Sequence, residues 1–136
     1  MAETKELLIV EDDPNDRFLI AHALKNFAQG VKFDFSDCAE DAWVRLQNGD
    51  IPNLIVTDLR MPGMGGHEFV ARLKKHDDFK EIPTIVFSTS PNASDVQKCY
   101  SNYANAYVVK PQNLDGYKRA AETLREFWFE QSSLPK

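Results

Sequence analysis

Cysteine is scarce: Cys38 and Cys99 are the only two in 136 residues, and they form no CxxC pair or other ligand spacing, so both read as reduced bystanders. A chain of this length buries roughly 68% of its unfolded surface in one core, so neither disulfides nor structural metals are needed for folding. No apolar run comes near the ~20 residues of a membrane span. Residues 1–6 lead straight into the short apolar run 7–10, unlike a secretory signal. Basic residues are also short, 16 against 21 acids for a formal charge of -5, which argues against a general nucleic-acid surface because phosphate backbones are bound through Lys and Arg. Disorder is excluded by an aromatic content of 11%. There is no Gly/Ser-rich or Pro-rich linker. The expectation is one cytoplasmic globular domain over 1–136, with its core at about 5–129 and a short tail at 130–136.

What is present is alternation. Short apolar runs rich in Val and Ile recur at 7–10, 31–35, 54–57, 84–87 and 106–109, each of strand length. Helical spacing fills the gaps. Phe18, Ala21, Leu24 and Ala28 share one face, with Asn15 or Asp16 as a cap and Gly30 past the end. Further helices are predicted over 39–47 (Ala42, Trp43, Leu46), 68–75 (Phe69, Val70, Leu73), 92–103 (Val96, Tyr100, Tyr103) and 114–129 (Leu114, Tyr117, Ala121, Leu124, Trp128). Five strand-helix units in succession imply an α/β, doubly wound, five-stranded parallel sheet with helices on both faces.

In such sheets ligands bind beyond the carboxyl ends of the strands. Those ends carry Glu11-Asp12-Asp13, Thr57-Asp58, Ser88-Thr89-Ser90 and Lys110-Pro111. Gathered carboxylates are costly: two charges ~5 Å apart repel by roughly 3 kcal/mol at an effective dielectric of 20. A hard divalent cation such as Mg²⁺ relieves this with oxygen ligands. Ser88 as a donor and Lys110 as a point charge add the partners of a phosphoryl group. Taken singly, Asp13 is equally well a helix cap and Lys110 a solvated loop residue; their coincidence is what the bland reading explains poorly.

These residues carry a resemblance. Leu8-Ile-Val-Glu-Asp-Asp13, Ile55-Val-Thr-Asp-Leu-Arg-Met-Pro62 with Gly65-Gly66, Val86-Phe-Ser88 and Ala106-Tyr-Val-Val-Lys-Pro111 together resemble a response-regulator receiver domain of the stand-alone CheY-like, flavodoxin-like type. The resemblance runs from about Lys5 to Trp128. It implies that Asp58 accepts a phosphoryl group from a sensor histidine kinase. It also implies that Asp12, Asp58 and the backbone carbonyl of Arg60 hold Mg²⁺, with Glu11 behind them through water. Ser88 is then the switch hydroxyl, Tyr107 the switch aromatic and Lys110 the phosphate contact, with a cis bond before Pro111. Such a protein is a switch more than a turnover enzyme, or a phosphate sink in a phosphorelay. Arg60, Gly65 and Ser90 depart from common receiver patterns and bear on the lifetime of the phosphoryl group.

Some residues point elsewhere. His22, His67 and His76 lack metal-ligand spacing, and Gly63-Met-Gly-Gly66 lacks the ending of a P-loop. Phe127, Trp128 and Phe129 cannot all face one way, because adjacent helical residues point about 100° apart. With Tyr100, Tyr103 and Tyr107 they outline a homodimer face on the fourth helix, fifth strand and fifth helix. The Asn-Asp-Arg-Phe start of the first helix and the aromatic tail most resemble single-domain regulators that partner phytochrome-type histidine kinases. The rival from another class is a haloacid-dehalogenase-like phosphatase. It needs an acid two positions past the nucleophile, where this chain has Arg60.

Overall fold

The computed structural model describes residues 4–25 and 30–135. Its elements run β1 (Lys5–Val10), α1 (Pro14–Leu24), β2 (Val31–Ser36), α2 (Ala39–Gln47), β3 (Leu54–Thr57), α3 (Gly66–Lys75), β4 (Thr84–Ser88), α4 (Ala93–Ser101), β5 (Ala106–Val109) and α5 (Leu114–Leu124), which continues into a π-helical segment, Arg125–Gln131. The strands form one parallel sheet in the order β2-β1-β3-β4-β5. The chain thus reverses direction across the sheet between β1 and β3, which opens a crevice at their carboxyl ends.

Both faces of the sheet are covered, so the central strands read as continuous apolar runs. Leu7, Ile9, Leu54, Val56, Ile85 and Phe87 pack on one side with Ile20 and Leu24 of α1 and Tyr117 and Ala121 of α5. Leu8, Val10 and Ile55 point the other way, onto Ala42 and Leu46 of α2 and Phe69 and Leu73 of α3. A smaller cluster, Leu59, Val70, Val86, Cys99 and Ala104, seats α4.

Several helix details differ from the sequence expectation. Of the caps the sequence offers for α1, Asp13 serves, its carboxylate accepting from the Asn15 amide at 2.8 Å, and Asn15 and Asp16 do not. Its core face is Ile20 and Leu24; Phe18 is 68% exposed, and Ala28 lies outside the described residues. α4 ends at Ser101, and its buried residue is Cys99, while Tyr100 and Tyr103 face outward. The helix stops because Tyr103 turns into the left-handed region (φ 69°) as its amide bonds the Tyr100 carbonyl. The last helix changes pitch at Arg125, so Trp128 and Phe129 both pack on the α1–α5 cluster and Phe127 alone stays exposed.

Candidate functional site

At the β1–β3 crevice, Lys110 is the centre. Its ammonium, buried just past β5, lies 2.8 Å from Glu11 Oε1, 2.7 Å from Asp16 Oδ2 and 3.1 Å from Asp58 Oδ2. The Phe87 ring underlies it, 6.0 Å away. Burial opposes the charge on Lys110, but the Asp16 and Glu11 carboxylates outweigh it and hold its pKa above that of an ordinary lysine. Burial pushes Glu11 up to about 7 against the opposing Lys110 hydrogen bond.

Asp58 follows β3 directly, and the backbone is shaped to aim it. Its Oδ1 accepts from the Leu59 amide at 2.7 Å, which leaves Oδ2 for Lys110. The loop beyond folds back so closely that a Cβ on Gly66 would come within 2.2 Å of the Asp58 carbonyl oxygen, and the Gly66 amide bonds the Leu59 carbonyl. Gly63 supplies the positive φ (76°) of the turn, and Glu40 on α2 accepts from the Met64 amide.

The carboxylates that converge are Glu11, Asp16 and Asp58, with oxygens within 4.8 Å of one another. Asp12 is half-buried beside them and outside that trio. The sequence marks Asp16 only as a cap; the signal for its role is its place in the first turn of the helix that follows Glu11-Asp12. Three carboxylates against one ammonium leave a formal charge of -2 in a recessed site built of hard oxygen donors, which suits a divalent cation.

Ser88, at the end of β4, is fully buried, and its hydroxyl accepts from the Ser90 amide at 3.1 Å. Tyr107, half-buried in β5, donates its hydroxyl to the Ser90 carbonyl at 2.7 Å. Arg60 is exposed, with its guanidinium 3.5 Å from Asp95. The bond before Pro111 is trans, not cis. Trans is the lower-energy isomer, and the proline ring lies against Gly116, where a Cβ would sit 2.4 Å from Pro111 Cβ.

A (βα)5 sheet that brings a buried aspartate, a lysine and two more acids to its switch point defines a signalling receiver. The chain belongs to the response-regulator receiver domain family, which matches residues 7–122, and is thus a component of two-component signalling. It is 33% identical over 137 residues to the response regulator Rcp1 of Synechocystis sp., covering 96% of this chain and 93% of that protein. It is 30% identical over 127 residues to the probable methanogenesis regulatory protein FilR2 of Methanothrix harundinacea, covering 90% and 82%. Among solved structures, the Mn²⁺-bound form of Rcp1 matches with a TM-score of 0.90 at 33% identity, over 97% of this chain and 99% of that one. The phosphorylated cyanobacterial phytochrome response regulator RcpA matches with a TM-score of 0.91 at 31% identity, over the same shares. Nothing in these likenesses favours the phosphatase reading. Among the described residues, no helix is long and apolar enough to cross a membrane.

Proposed function

We propose that the chain is a cytoplasmic response regulator that accepts a phosphoryl group on Asp58 from a sensor histidine kinase of phytochrome type. The observation that carries this is the buried Asp58 carboxylate held 3.1 Å from the Lys110 ammonium with Glu11 and Asp16 beside it. The two cyanobacterial relatives, one solved with Mn²⁺ and one solved phosphorylated and described as a phytochrome response regulator, support the partner class.

Asp58 Oδ2 attacks the phosphorus of a phosphohistidine; the P–N bond breaks as the P–O bond forms, and the freed imidazole nitrogen takes its proton from solvent. Lys110 pairs with the phosphoryl oxygens as a fixed cation. Ser88 rotates its hydroxyl toward them, and Tyr107 follows into the space vacated. A Mg²⁺ held by Asp12, Asp58 and the Arg60 carbonyl, with Glu11 and Asp16 behind, would neutralise charge on the transferring group. To turn a 1:99 equilibrium into 99:1, the phosphoryl group must favour the active state by about 5.5 kcal/mol, within reach of a few charge-assisted hydrogen bonds. Output leaves through the face of α4, β5 and α5, which pairs with a second copy. Its exposed apolar residues are Tyr100, Tyr103, Val108, Val109 and Phe127. Trp128 and Phe129, half-buried, pack against the core behind it.

With Mg²⁺ and acetyl phosphate, or a phosphorylated phytochrome-type kinase, the protein is expected to gain one acid-stable, base-labile phosphoryl group, and Asp58→Asn none. Equal labelling of that variant removes Asp58 from its role.

A further inference from the structure

Beside the acceptor pocket, a second polar network converges on a carboxylate that the phosphoryl-transfer reading does not use. Asp95 lies in the first turn of α4, and its side chain is 23% exposed. Its Oδ2 accepts from the Ser90 hydroxyl at 2.6 Å and lies 3.5 Å from the Arg60 guanidinium; its Oδ1 is 3.2 Å from His67 Nε2 on α3. His67 is braced in turn, with Nδ1 3.6 Å from Cys99 Sγ. One carboxylate thus ties together α4, α3, the loop after β3 and the loop after β4.

Ser90 makes this network consequential. Its amide holds the Ser88 hydroxyl, its carbonyl holds Tyr107 and its own hydroxyl is held by Asp95. Rearrangement of Ser88 and Tyr107 around a phosphorylated Asp58 therefore has to move Ser90 against Asp95. Arg60, two residues past Asp58, faces the reverse choice: its exposed guanidinium pairs with Asp95 before phosphorylation and has a competing dianion within chain reach afterwards.

We propose that Asp95 is a positioning residue for the receiver reaction, a latch that holds the residue 89–92 loop in the unphosphorylated arrangement and keeps Arg60 away from the phosphoryl group. This rests on Asp58 as the acceptor. Removing the negative charge of Asp95 loosens Ser90 and frees Arg60 to cover the phosphoryl oxygens. Loss of the group, in which water adds to phosphorus, the P–O bond to Asp58 breaks, inorganic phosphate departs and a proton passes to solvent, then slows.

The test uses Asp95→Asn, Arg60→Gln and the double variant in the full chain, with two readouts. Amide exchange in unphosphorylated protein is expected to quicken about tenfold in Asp95→Asn at Ser90 and at Asn92, whose amide donates to the Ser90 hydroxyl at 3.3 Å, the measure of a hydrogen bond that loses its charged acceptor. Loss of label from protein phosphorylated by acetyl phosphate is expected to slow by roughly twofold to fivefold in Asp95→Asn, the scale of an exposed ion pair. The double variant is expected to lose at the Arg60→Gln rate while its exchange stays fast. A simple helix-capping role for Asp95 would alter exchange without this dependence on Arg60, and that outcome overturns the positioning role. Unchanged exchange at Ser90 overturns the latch. A wild-type chain that takes no label overturns the Asp58 assignment instead, and the exchange readout still decides the latch.

Discussion

Cys99 sits 3.6 Å from a histidine whose other nitrogen faces an aspartate, an order that in an open cleft would suggest a nucleophile. Burial decides against it. The thiol has no exposed surface, and burial, with Asp95 adding to it, pushes its pKa up to about 11. The reactive species is the thiolate, about one molecule in a thousand at pH 8 for such a group. Raising the pH toward 11 increases that fraction and so the rate; lowering it suppresses reaction further. Native protein is therefore expected to take up iodoacetamide at Cys38, half-buried at the start of α2, well before Cys99, and urea-unfolded protein at both. Peptide mapping after timed alkylation checks this. Matched native rates at the two sites would mean that α4 opens readily from α3, contrary to the packing of Cys99 against Val70 and Val86.

At the scale of elements, the loop from β3 to α3 carries the strictest steric demand. A methyl group on Gly66 would lie 2.2 Å from the Asp58 carbonyl oxygen and 2.7 Å from Leu59 Cα, both backbone atoms that cannot swing aside. Gly66→Ala is expected to cost roughly 1–3 kcal/mol in urea unfolding, the usual range of overpacking, and to slow labelling of Asp58, the proposed acceptor, because its own backbone must move. Unchanged stability would show that α3 can slide outward at no cost. Gly66 was visible in the sequence beside the acceptor motif, whereas its reason, a backbone contact across the loop, exists only once β3 and α3 are in place. The same division runs through the fold. Strand positions were legible because buried parallel strands are continuous apolar runs, as 54–57 and 84–87 show. That Asp58, Ser88 and Lys110 lie together at the carboxyl ends of strands was legible because each ends a predicted strand or directly follows one. Asp16 was not, because its role depends on the reach of Lys110 from β5 across to α1. Nor was the change of pitch at Arg125 legible: the Arg125–Glu130 pair at 2.6 Å and the Ser132 amide on the Phe127 carbonyl both span five residues, a period that an apolar pattern spaced by threes and fours conceals.

For the molecule as a whole, sheet order determines where a signal can leave. β5 is an edge strand beside β4, and its Val108 and Val109 are 38% and 47% exposed, an apolar edge of the kind that invites pairing. Tyr100 and Tyr103 of α4 and its end and Phe127 beyond α5 flank it. Standard protein interfaces bury ~800 Å² per partner, more than these five side chains can supply, so polar residues of α4 and α5 must complete the contact. The proposed coupling of this face to Asp58 rests on a chain of hydrogen bonds, since Tyr107 in β5 donates to the Ser90 carbonyl and the Ser90 amide donates to the Ser88 hydroxyl. Sedimentation velocity is expected to show a shift from monomer toward dimer when Mg²⁺ and beryllofluoride are added. Val109→Lys, which places a charge on the edge strand, is expected to remain monomeric while labelling at Asp58 proceeds at the wild-type rate. A Val109→Lys protein that still dimerises would move the interface elsewhere. A wild-type protein that stays monomeric under both conditions would rule out this face as a phosphorylation-dependent dimer interface.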